Sequence, residues 1–571
     1  MIDKIWKYRK KELNTQEIAK FSKNLNLPPV IATILMNRNI AMEDVSAFLA
    51  KTMKSIRNPM LMNDMDKAVE RIISAIQNKE KIVIYGDYDV DGITSTTLMQ
   101  DFLSSIGADV SYYIPDRKDE GYGINIKAVN NFIKQGVRLL ITVDCGITAL
   151  GEVSFAKLLG MDVIITDHHT CKERLPEDAC AIINPKRPDS TYPFDGAAGV
   201  GVAFKLVLAL AMALKMNTTG CFMKYIDIVT IGTIADVVPL TDENRVIVDK
   251  GISAIRNTSR PGIRGLLKVS GADKRPITAS SIAFTIAPRL NAAGRLSSAS
   301  TAVELLLTSN EEEALKIATE LDEENSNRRF TEQEIYDEAM EQIAADVNFE
   351  KKKVIVLYKR GWHHGVIGIV ASRISDLYYK PCILISTDEN GEGKGSGRSI
   401  PSLNLFDALS ECSDTLVDFG GHAAAAGLSI NESEIDNFSK KINKYADEVL
   451  NEEDMLPVVK IDCLLSGQNL TLSTAKLLGT LEPYGMGNEK PTFAIKDAVA
   501  DSVSTVGAES KHLRLMVSKD GVKVSCIGFN MSEYAREIKA GDKVHLAFKL
   551  DINAYQGNET VQLLLNDIKK A

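Results

Sequence analysis

The sequence of 571 residues predicts a multidomain α/β protein. In it, a parallel-sheet domain is followed by a long helix, a second α/β domain and a C-terminal β-barrel. Three features predict this architecture. Short apolar strands alternate with amphipathic helices from about residue 81 to 236, as in a parallel sheet with helical crossovers. Residues 310–345 have the composition of a long charged helix. Short alternating strands then fill the chain from about residue 455 onward.

The same features divide the chain into five predicted segments, as expected for a chain of this length. They are an N-terminal helical segment 1–60, a first α/β domain 61–308, a connecting helix 309–345, a second α/β domain 346–450 and a barrel domain 451–571.

In the first α/β domain, strands are predicted at 81–85, 138–143 and 163–166. A helix is predicted at 94–106. The apolar stretch 200–214 is predicted to be a buried helix, because it contains a lysine and is too short to span a bilayer.

The stretch 310–345 is nearly free of Gly and Pro, which favours an exposed helix that links two bodies. An ordinary surface helix of the first domain fits the same pattern. A strand at 353–358 opens the second α/β domain. In the last segment, strands at 513–517, 522–527 and 543–548 are separated by turns, which predicts a small barrel or sandwich.

Composition and charge narrow the functional class. The chain is 45% hydrophobic and 25% charged, which is ordinary for a globular protein. Its net charge of −9 argues against broad nonspecific nucleic-acid binding but allows a locally basic groove. The eight cysteines form no C-x-x-C pair, which indicates a reducing compartment and argues against a zinc ribbon. The charged N-terminus does not resemble a secretion signal, so a cytoplasmic protein is predicted.

Three carboxylates, Asp87, Asp89 and Asp91, follow the first predicted strand and precede Gly92. Alternate side chains of an extended chain point to one side, so these carboxylates are predicted to converge. Carboxylates that lie so close repel one another unless a hard divalent cation neutralises them. The alternative is a solvated acidic loop, which is common for any single Asp.

Other predicted strand ends carry matching groups, namely Asp144 and the run Asp167-His168-His169, with Asp236 as a further candidate. Functional groups of an open parallel sheet collect beyond the carboxyl ends of its strands. Carboxylates with an imidazole fit a site for two Mn²⁺ or Mg²⁺ ions, whereas zinc is less favoured because cysteine takes no part. Adjacent histidines do not easily face one metal, so one is predicted to bind it and the other to contact substrate or act as an acid.

These motifs resemble the DHH phosphoesterase family. The resemblance rests on Asp87-Tyr-Asp-Val-Asp-Gly92, Val143-Asp-Cys-Gly146, Asp167-His-His169, Asp236, Pro288-Arg-Leu-Asn-Ala-Ala-Gly-Arg295, Gly361-Trp-His-His-Gly-Val-Ile-Gly-Ile-Val-Ala-Ser-Arg373, Gly395-Ser-Gly-Arg-Ser399 and Gly420-Gly-His-Ala-Ala-Ala-Ala-Gly427. Asp-His-His alone is a weak signal. The ordered set, from about residue 55 onward, is specific and is similar to the single-strand-specific exonucleases of that family.

The resemblance implies roles for particular residues. The implied metal ligands are Asp89, Asp91, Asp144, His168 and Asp236. Asp87 would lie close to them, and His169 would face the scissile phosphate, which completes the predicted catalytic set. One position departs from the family pattern. Many members carry a histidine where this chain has Tyr85, so the first metal would be held by fewer protein ligands or by Asp87.

The second α/β domain resembles the DHH-associated domain, which grips nucleic acid. The predicted substrate-binding residues are His363, Ser396, Arg398, Gly420, Gly421 and His422 there, and Arg289 and Asn291 in the first domain. A turn at 395–398 would offer backbone N–H groups, a hydroxyl and a guanidinium to phosphate. Glycines would let the backbone approach a ligand closely. The alternatives are ordinary turns for the glycine-rich segments, and a salt bridge and a turn for Arg289 and Asn291.

The C-terminal part resembles an OB fold, a barrel that binds single strands through a basic groove and stacking aromatics. Plausible contacts are Lys511, His512, Arg514, Lys543, Phe548 and Tyr555. The same residue types also occur on ordinary half-exposed strands.

The sequence thus predicts a hydrolase that degrades single-stranded DNA with two Mn²⁺ or Mg²⁺ ions. The resemblance implies 5′-to-3′ polarity, release of 5′-mononucleotides and a role in DNA repair and recombination. Predicted partners are single-stranded DNA, a single-strand-binding protein and a helicase, with no membrane. One alternative is a phosphodiesterase for short oligonucleotides or cyclic dinucleotides, against which the chain length and the barrel argue. The other is an inert DHH-like DNA-binding protein, against which the retained carboxylates argue.

Overall fold

The computed structural model describes residues 3–9, 14–116, 120, 123–296, 298–555 and 557–571. The chain divides into two compact units. The first unit holds residues 46–327 and 482–489, and the second unit holds residues 1–45, 328–481 and 490–571.

The described α-helices, in chain order, are α1 Thr15–Leu25, α2 Pro29–Asn37, α3 Val45–Ala50, α4 Met65–Gln77, α5 Val90–Ser105, α6 Ile126–Lys134, α7 Leu150–Leu158, α8 Gly199–Ala213, α9 Thr218–Ala235, α10 Asp242–Arg256, α11 Pro261–Ser270, α12 Ala279–Ser281, α13 Ala287–Leu296, α14 Ala299–Leu307, α15 Glu311–Ala345, α16 His364–Tyr378, α17 Leu405–Glu411, α18 Ile435–Val449, α19 Leu472–Leu478 and α20 Tyr534–Glu537. A π-helical turn, Ile282–Ile286, precedes α13.

The described strands are β1 Ile5–Tyr8, β2 Lys81–Tyr85, β3 Asp109–Tyr113, β4 Val137–Val143, β5 Asp162–Thr166, β6 Ala181–Ile183, β7 Ile355–Arg360, β8 Cys382–Thr387, β9 Glu392–Arg398, β10 Asp418–Gly421, β11 Ala425–Asn431, β12 Val458–Ile461, β13 Cys463–Leu464, β14 Phe493–Val506, β15 His512–Lys519, β16 Val522–Gly528, β17 Lys543–Tyr555 and β18 Asn558–Lys570.

The first unit is built on a parallel five-stranded sheet in the order β3-β2-β4-β5-β6. Its inner strands are runs of Val, Ile and Leu, because helices cover both faces. Ile82 and Ile84 of β2 pack in a core with α4, α5 and α8, while Val83 and Tyr85 pack in a separate core with α6 and α7. The predicted parallel sheet with helical crossovers is confirmed.

The apolar stretch predicted as a buried helix is α8, whose residues from Gly199 to Ala211 are all buried. Among the described residues, no helix is both long and apolar enough to cross a bilayer.

The predicted long helix is α15, with 35 residues. Its residues up to Asn327 belong to the first unit and those from Arg328 onward belong to the second. The prediction that it links two bodies is therefore confirmed, and the surface-helix alternative describes only its first half.

The second unit contains the predicted second α/β domain. Its sheet has the order β10-β11-β9-β8-β7, with β7 and β8 parallel and the remaining neighbours antiparallel. Helix α16 packs against β8 and β9 on one face of this sheet.

A closed barrel of five strands, in the order β14-β15-β16-β18-β17, forms the C-terminal part of the second unit, with β17 pairing back onto β14. Register shifts in β14 and β17 accommodate the bending of these long strands. This confirms the predicted OB-like barrel.

Two short segments differ from the predicted organisation. Residues Ile5–Tyr8 form a strand that pairs in parallel with β12, so the prediction of a purely helical N-terminal segment 1–60 is wrong there. Residues 482–489 lie within the predicted barrel domain but pack in the first unit, where the N–H of Leu240 donates to the carbonyl of Met486 over 2.8 Å. In neither segment does the pattern of apolar and polar residues predict which part of the chain it packs against.

Candidate active site

The acidic motif after β2 turns directly into helix α5. Asp89 is the N-cap of this helix, and its carboxylate accepts hydrogen bonds from the backbone N–H of Asp91 and of Gly92, at 2.9 and 3.0 Å. Because Asp91 lies in the first helical turn, the prediction that an extended strand aligns the three carboxylates is wrong. Their clustering comes from a tight loop and a helix N-terminus, which favours negative charge.

This loop depends on one glycine. A Cβ atom at Gly92 would overlap the backbone carbonyl of Asp87. The close approach of helix and loop therefore excludes every larger residue at this position.

The other strand ends are tied to the same edge of the sheet by backbone hydrogen bonds. The N–H of Asp144 donates to Thr166, and the N–H of Asp167 donates to Ile183, at 3.0 and 3.1 Å. Asp144 adopts φ = 60°, a left-handed conformation that is uncommon outside glycine. Each carboxyl-terminal strand end is thereby fixed relative to its neighbour.

The predicted catalytic side chains come together in three overlapping groups. Their potential ligand atoms lie within 4.8 Å of one another in each group: Asp87, Asp89 and Asp144; Asp144, His168 and His169; and Asp91, His168 and Asp236. Asp144 and His168 each belong to two groups. The arrangement suits two ions that share ligands.

His168 lies at the centre of the carboxylates. Its Nε2 atom is 3.2 Å from Oδ1 of Asp144, 3.6 Å from Oδ2 of Asp236 and 3.9 Å from Oδ2 of Asp91. Within the described residues, neither Nε2 of His168 nor Oδ2 of Asp236 makes a hydrogen bond, although both atoms are buried. Burying such atoms without partners is costly. A divalent cation accepts both carboxylate oxygen and imidazole nitrogen as ligands, so it would supply the partner that these two atoms lack.

Burial perturbs the protonation of the acids. It raises the pKa of Asp91 and of Asp144 well above the ordinary range, and the neighbouring carboxylates add to both increases. Burial, followed by the charge of Asp89, raises the pKa of Asp236 to about 7. Without metal, the acids therefore retain protons that a divalent cation would displace.

The pKa values of the two adjacent histidines shift in opposite directions. Burial, followed by the nearby His169, lowers the pKa of His168 to about 4, so its imidazole is neutral and able to bind metal. For His169, burial lowers the pKa, but the hydrogen bond and charge of Asp167 outweigh it and raise the pKa overall. The predicted division of roles, one ligand and one acid or substrate contact, stays a prediction, because both histidines belong to the group formed with Asp144.

The predicted substrate residues of the first unit are engaged within the protein. The guanidinium of Arg289 pairs with Asp322 at 2.7 Å and donates to the carbonyl of Thr285. The side-chain oxygen of Asn291 accepts from the N–H of Val90 at 3.2 Å. The salt-bridge alternative describes the contacts of Arg289. Asn291 holds the acidic loop.

In the second unit, Ser396 and Arg398 lie on β9, which pairs with β8 on one side and β11 on the other. The prediction of a turn at 395–398 with free backbone donors is wrong, because these residues belong to an inner strand of the sheet. Ser396 and Arg398 point to the face that α16 covers in part, where a Cβ atom at Gly368 would lie 2.7 Å from Oγ of Ser396. The guanidinium of Arg398 donates to Oγ of Ser396 and to the carbonyl of Gly397, at 3.3 and 2.8 Å, and both side chains stay predicted phosphate contacts.

Glycines without side chains lie beside Ser396 and Arg398 in the sheet. Ser396 is in register with Gly427, and Gly427 is in register with Gly420 of the edge strand β10. Gly420, Gly421 and His422 are exposed, and nothing lies within 4 Å of a Cβ atom built at Gly420. His363 is the N-cap of α16 and stacks on His364, with ring centroids 5.5 Å apart.

The predicted single-strand contacts of the barrel differ in how exposed their side chains are. Lys511, Arg514 and Lys543 are exposed. Phe548 is fully buried and packs on Phe493, so its predicted role as a stacking contact is wrong. Nδ1 of His512 accepts from the N–H of Asn530. The side chain of Tyr555 lies outside the described residues.

Three family models match the chain in order. They are the DHH family N-terminal domain at residues 81–233, the DHHA1 domain at 351–448 and the RecJ OB domain at 461–567.

Full-length relatives decide the family. The single-stranded-DNA-specific exonuclease RecJ of Bacillus subtilis is 39% identical over 553 residues, which cover 96% of this chain and 69% of the relative. The corresponding protein of Haemophilus influenzae is 38% identical, with 91% of this chain and 93% of the relative covered. The chain belongs to the RecJ family.

A solved RecJ structure agrees with this result. RecJ from Thermus thermophilus in complex with Mn²⁺ matches with a TM-score of 0.84 and 29% identity, over 99% of this chain and 80% of that one. The same protein in complex with Mg²⁺ matches with a TM-score of 0.77. Both metals agree with the predicted cofactors, and the RecJ family places this chain among the hydrolases.

Two positioning contacts of this RecJ-family site are absent from the predicted site residues. The backbone N–H groups of Gly199 and Val200, at the N-terminus of α8, donate to the carboxylate of Asp91 at 2.6 and 2.8 Å. A Cβ atom at Gly199 would overlap Oδ1 of Asp144. The signal in the sequence is the Gly-Val-Gly run that opens the apolar helix.

Asp167 makes the other unpredicted contact. Its buried carboxylate accepts from the N–H of His168 at 2.7 Å and lies 2.8 Å from Nδ1 of His169. It therefore fixes the conformation of the Asp-His-His segment in this RecJ-family chain. Its position at a strand end is visible in the sequence, but its role is not.

Tyr85 stands at the position where many members of the family carry a histidine. Its hydroxyl donates to the carbonyl of Gly123 at 2.8 Å and accepts from Asn125 at 3.3 Å, while its ring packs on Tyr113 and Phe132. The side chain therefore belongs to the core beside α6. This leaves Asp87 as the candidate that completes the first group.

Proposed function

We propose that this chain is a metal-dependent exonuclease that hydrolyses single-stranded DNA from 5′ to 3′ and releases 5′-mononucleotides. One observation carries the proposal. In a RecJ-family chain, Asp87, Asp89, Asp144, His168 and Asp236 meet at one sheet edge as overlapping potential ligand groups. This edge is where parallel sheets place their chemistry.

The proposed ligands of two Mn²⁺ or Mg²⁺ ions are Asp89, Asp91, Asp144, His168 and Asp236, with Asp87 completing the first group. When bound, such ions supply a reactive water and neutralise charge on the phosphate. The protein contributes a fixed ligand geometry, because backbone N–H groups hold Asp89 and Asp91 in place.

His169 is the proposed proton donor. Its Nδ1 is hydrogen-bonded to Asp167, which outweighs burial and raises the pKa of the ring, so the protonated form, with Nε2–H turned to the substrate, is favoured. Water attacks phosphorus and releases a proton to solvent, the bond between phosphorus and the 3′ oxygen breaks, and His169 gives its proton to the departing oxygen and regains one from solvent.

In the second unit, the proposed phosphate contacts are Ser396, Arg398 and His422, next to the exposed backbone of Gly420 and Gly421 and the ring of His363. Arg398 supplies a planar donor suited to phosphate. Lys511, Arg514 and Lys543 of the barrel are proposed to follow the strand.

The proposed cellular setting follows from the substrate. A single-strand-specific nuclease acts after a helicase has separated a duplex, so we include a helicase and a single-strand-binding protein as partners in repair and recombination. All eight cysteines are free thiols, which supports a reducing cytoplasm.

Labelled DNA tests this function. With Mn²⁺, a long 5′-labelled single strand should release its label at once as a mononucleotide, and a 3′-labelled strand should give a ladder of shortening fragments. Blunt duplex and chelator-treated samples should remain intact. Cleavage confined to dinucleotides through pentanucleotides would instead support the small-substrate phosphodiesterase.

A further inference from the structure

The loop that follows β6 is fastened to the Asp-His-His segment. Asn184 is buried, its Nδ2 donates to the carbonyl of His169 at 3.0 Å, and its Oδ1 accepts from the N–H of Lys186 at 2.8 Å. One side chain thus bridges the backbone of the two residues. The position of the Lys186 backbone is set by the same segment that carries the proposed ligand His168.

Lys186 and its neighbour Arg187 have opposite surroundings. The guanidinium of Arg187 is fully engaged, by Asp64 at 2.6 Å, by the carbonyl of Ile182 at 2.7 Å and by Asp189. Lys186 is exposed and, within the described part of the chain, its ammonium has neither an ion pair nor a hydrogen bond. Arg187 anchors the loop, and Lys186 remains available to a ligand.

The positive charge of Lys186 affects the pKa values of two proposed metal ligands, Asp236 and His168. Burial raises the pKa of Asp236, and the charge of Lys186 opposes this increase, whereas burial lowers the pKa of His168 and the charge of Lys186 adds to this decrease. The acids of the site carry more negative charge than two divalent ions neutralise once Asp87, Asp89, Asp91, Asp144, Asp167 and Asp236 are ionised. A phosphate that enters this region gains from a cation there.

We propose that the Lys186 ammonium binds a non-bridging phosphate oxygen of the single strand at the metal centre. The inference rests on the proposed function, since it assigns a further contact to the same substrate. A lysine suits the task because its compact charge lies on a flexible stem, and the rigid Asn184 bridge limits where that stem begins. The competing interpretation is a solvated surface lysine, which predicts no effect on catalysis.

Three variants test the assignment: Lys186→Met, Lys186→Arg and Lys134→Met. Lys134 is the matched control, because it is exposed in the last turn of α6, just before β4 begins, at the sheet edge opposite the metal-binding groups. For Lys186→Met, kcat/KM on a 5′-labelled single strand should fall about ten- to a hundredfold, as for other charge-assisted contacts. Lys186→Arg should retain most activity, and Lys134→Met should match the wild type.

Salt dependence gives a readout that a structural role would not change. Removing one interaction between a cationic side chain and a phosphate of single-stranded DNA reduces the slope of log affinity against log salt by roughly 0.7. The corresponding slope of log kcat/KM should therefore flatten by about that amount in Lys186→Met and remain unchanged in Lys134→Met. Melting temperatures with Mn²⁺ identify any variant that fails to fold.

Either of two results would overturn the assignment: kcat/KM within twofold of the wild type in Lys186→Met, or equal losses in the Met and Arg variants. Both leave the proposed function standing as long as the wild type degrades the strand. An inactive wild type would refute the proposed function itself.

Discussion

The proposed metal-binding edge of the first unit and the proposed phosphate-binding face of the second unit differ in burial and in the residues that form them. The metal-binding edge is buried and charged, and its carboxylates are fixed by backbone N–H groups of α5 and α8. The phosphate-binding face consists of exposed glycine backbone around Ser396 and Arg398. The first concentrates charge that only a cation can neutralise, whereas the second leaves room for a ligand and one fixed guanidinium. Substitutions at the buried acidic edge should therefore cost more activity than substitutions on the exposed glycine-rich face.

The largest effect should come from removing one shared ligand. Asp144→Asn should lower kcat by about a thousandfold or more while DNA binding persists, because Asp144 belongs to two of the three ligand groups. Asp109→Asn is the control, since that exposed acid lies at the start of β3, away from the strand ends. Single-turnover hydrolysis and DNA binding are measured side by side. Substantial activity in Asp144→Asn would contradict the two-ion arrangement.

The comparison of the two regions also separates what the sequence can predict from what it cannot. The acids and histidines are predictable because strand ends of a parallel sheet share one edge. Their local geometry is not, since helix α5 begins at Val90, four residues before its predicted start. The prediction of a turn at Gly395–Arg398 is wrong because the glycines there serve close packing against Leu405 and Leu428 rather than a reversal of the chain. Long-range partners such as Asp322 for Arg289 leave no local signal.

The second-largest effect tests the exposed face. Arg398→Ala should reduce kcat/KM about ten- to a hundredfold, because a charge-assisted phosphate contact contributes roughly 1.5–3 kcal/mol. Arg360→Ala is the matched control, since Arg360 ends strand β7 of the same sheet and pairs with Glu432. Kinetics over a range of DNA concentrations, with melting curves for folding, provide the measurement. Equal behaviour of the two variants would remove Arg398 from the site.

The third prediction uses the pH dependence of stability. Asp236 has a folded-state pKa of about 7, above its ordinary value of 3.8, so the metal-free folded protein binds the extra proton. This contribution to stability is present below about pH 4 and is lost as the pH rises through 7. Mn²⁺ binds the ionised acids, so its stabilising effect should grow over the same range.

Melting temperatures in Mn²⁺ and in chelator, compared at pH 5 and pH 8, measure this effect. The difference should be a few degrees larger at pH 8. Asp236→Asn should reduce that gain, because it removes the titrating carboxyl. An identical metal shift at both pH values would show that Asp236 does not couple to the ion.

The smallest effect concerns the residue after Asp236. Val237 is 66% exposed and has φ = 58°, an unfavourable conformation for a β-branched residue. Relief of this strain should make Val237→Gly more stable by about 1 kcal/mol, after subtracting the larger entropy that glycine loses on folding. Val237→Thr is the control, because threonine is also β-branched and keeps the strain. The measurement is the unfolding transition that Mn²⁺ shifts, since it reports on the first unit. If glycine and threonine give equal stability, the strain at Val237 is relaxed in solution, and the loop after Asp236 is held by its packing alone.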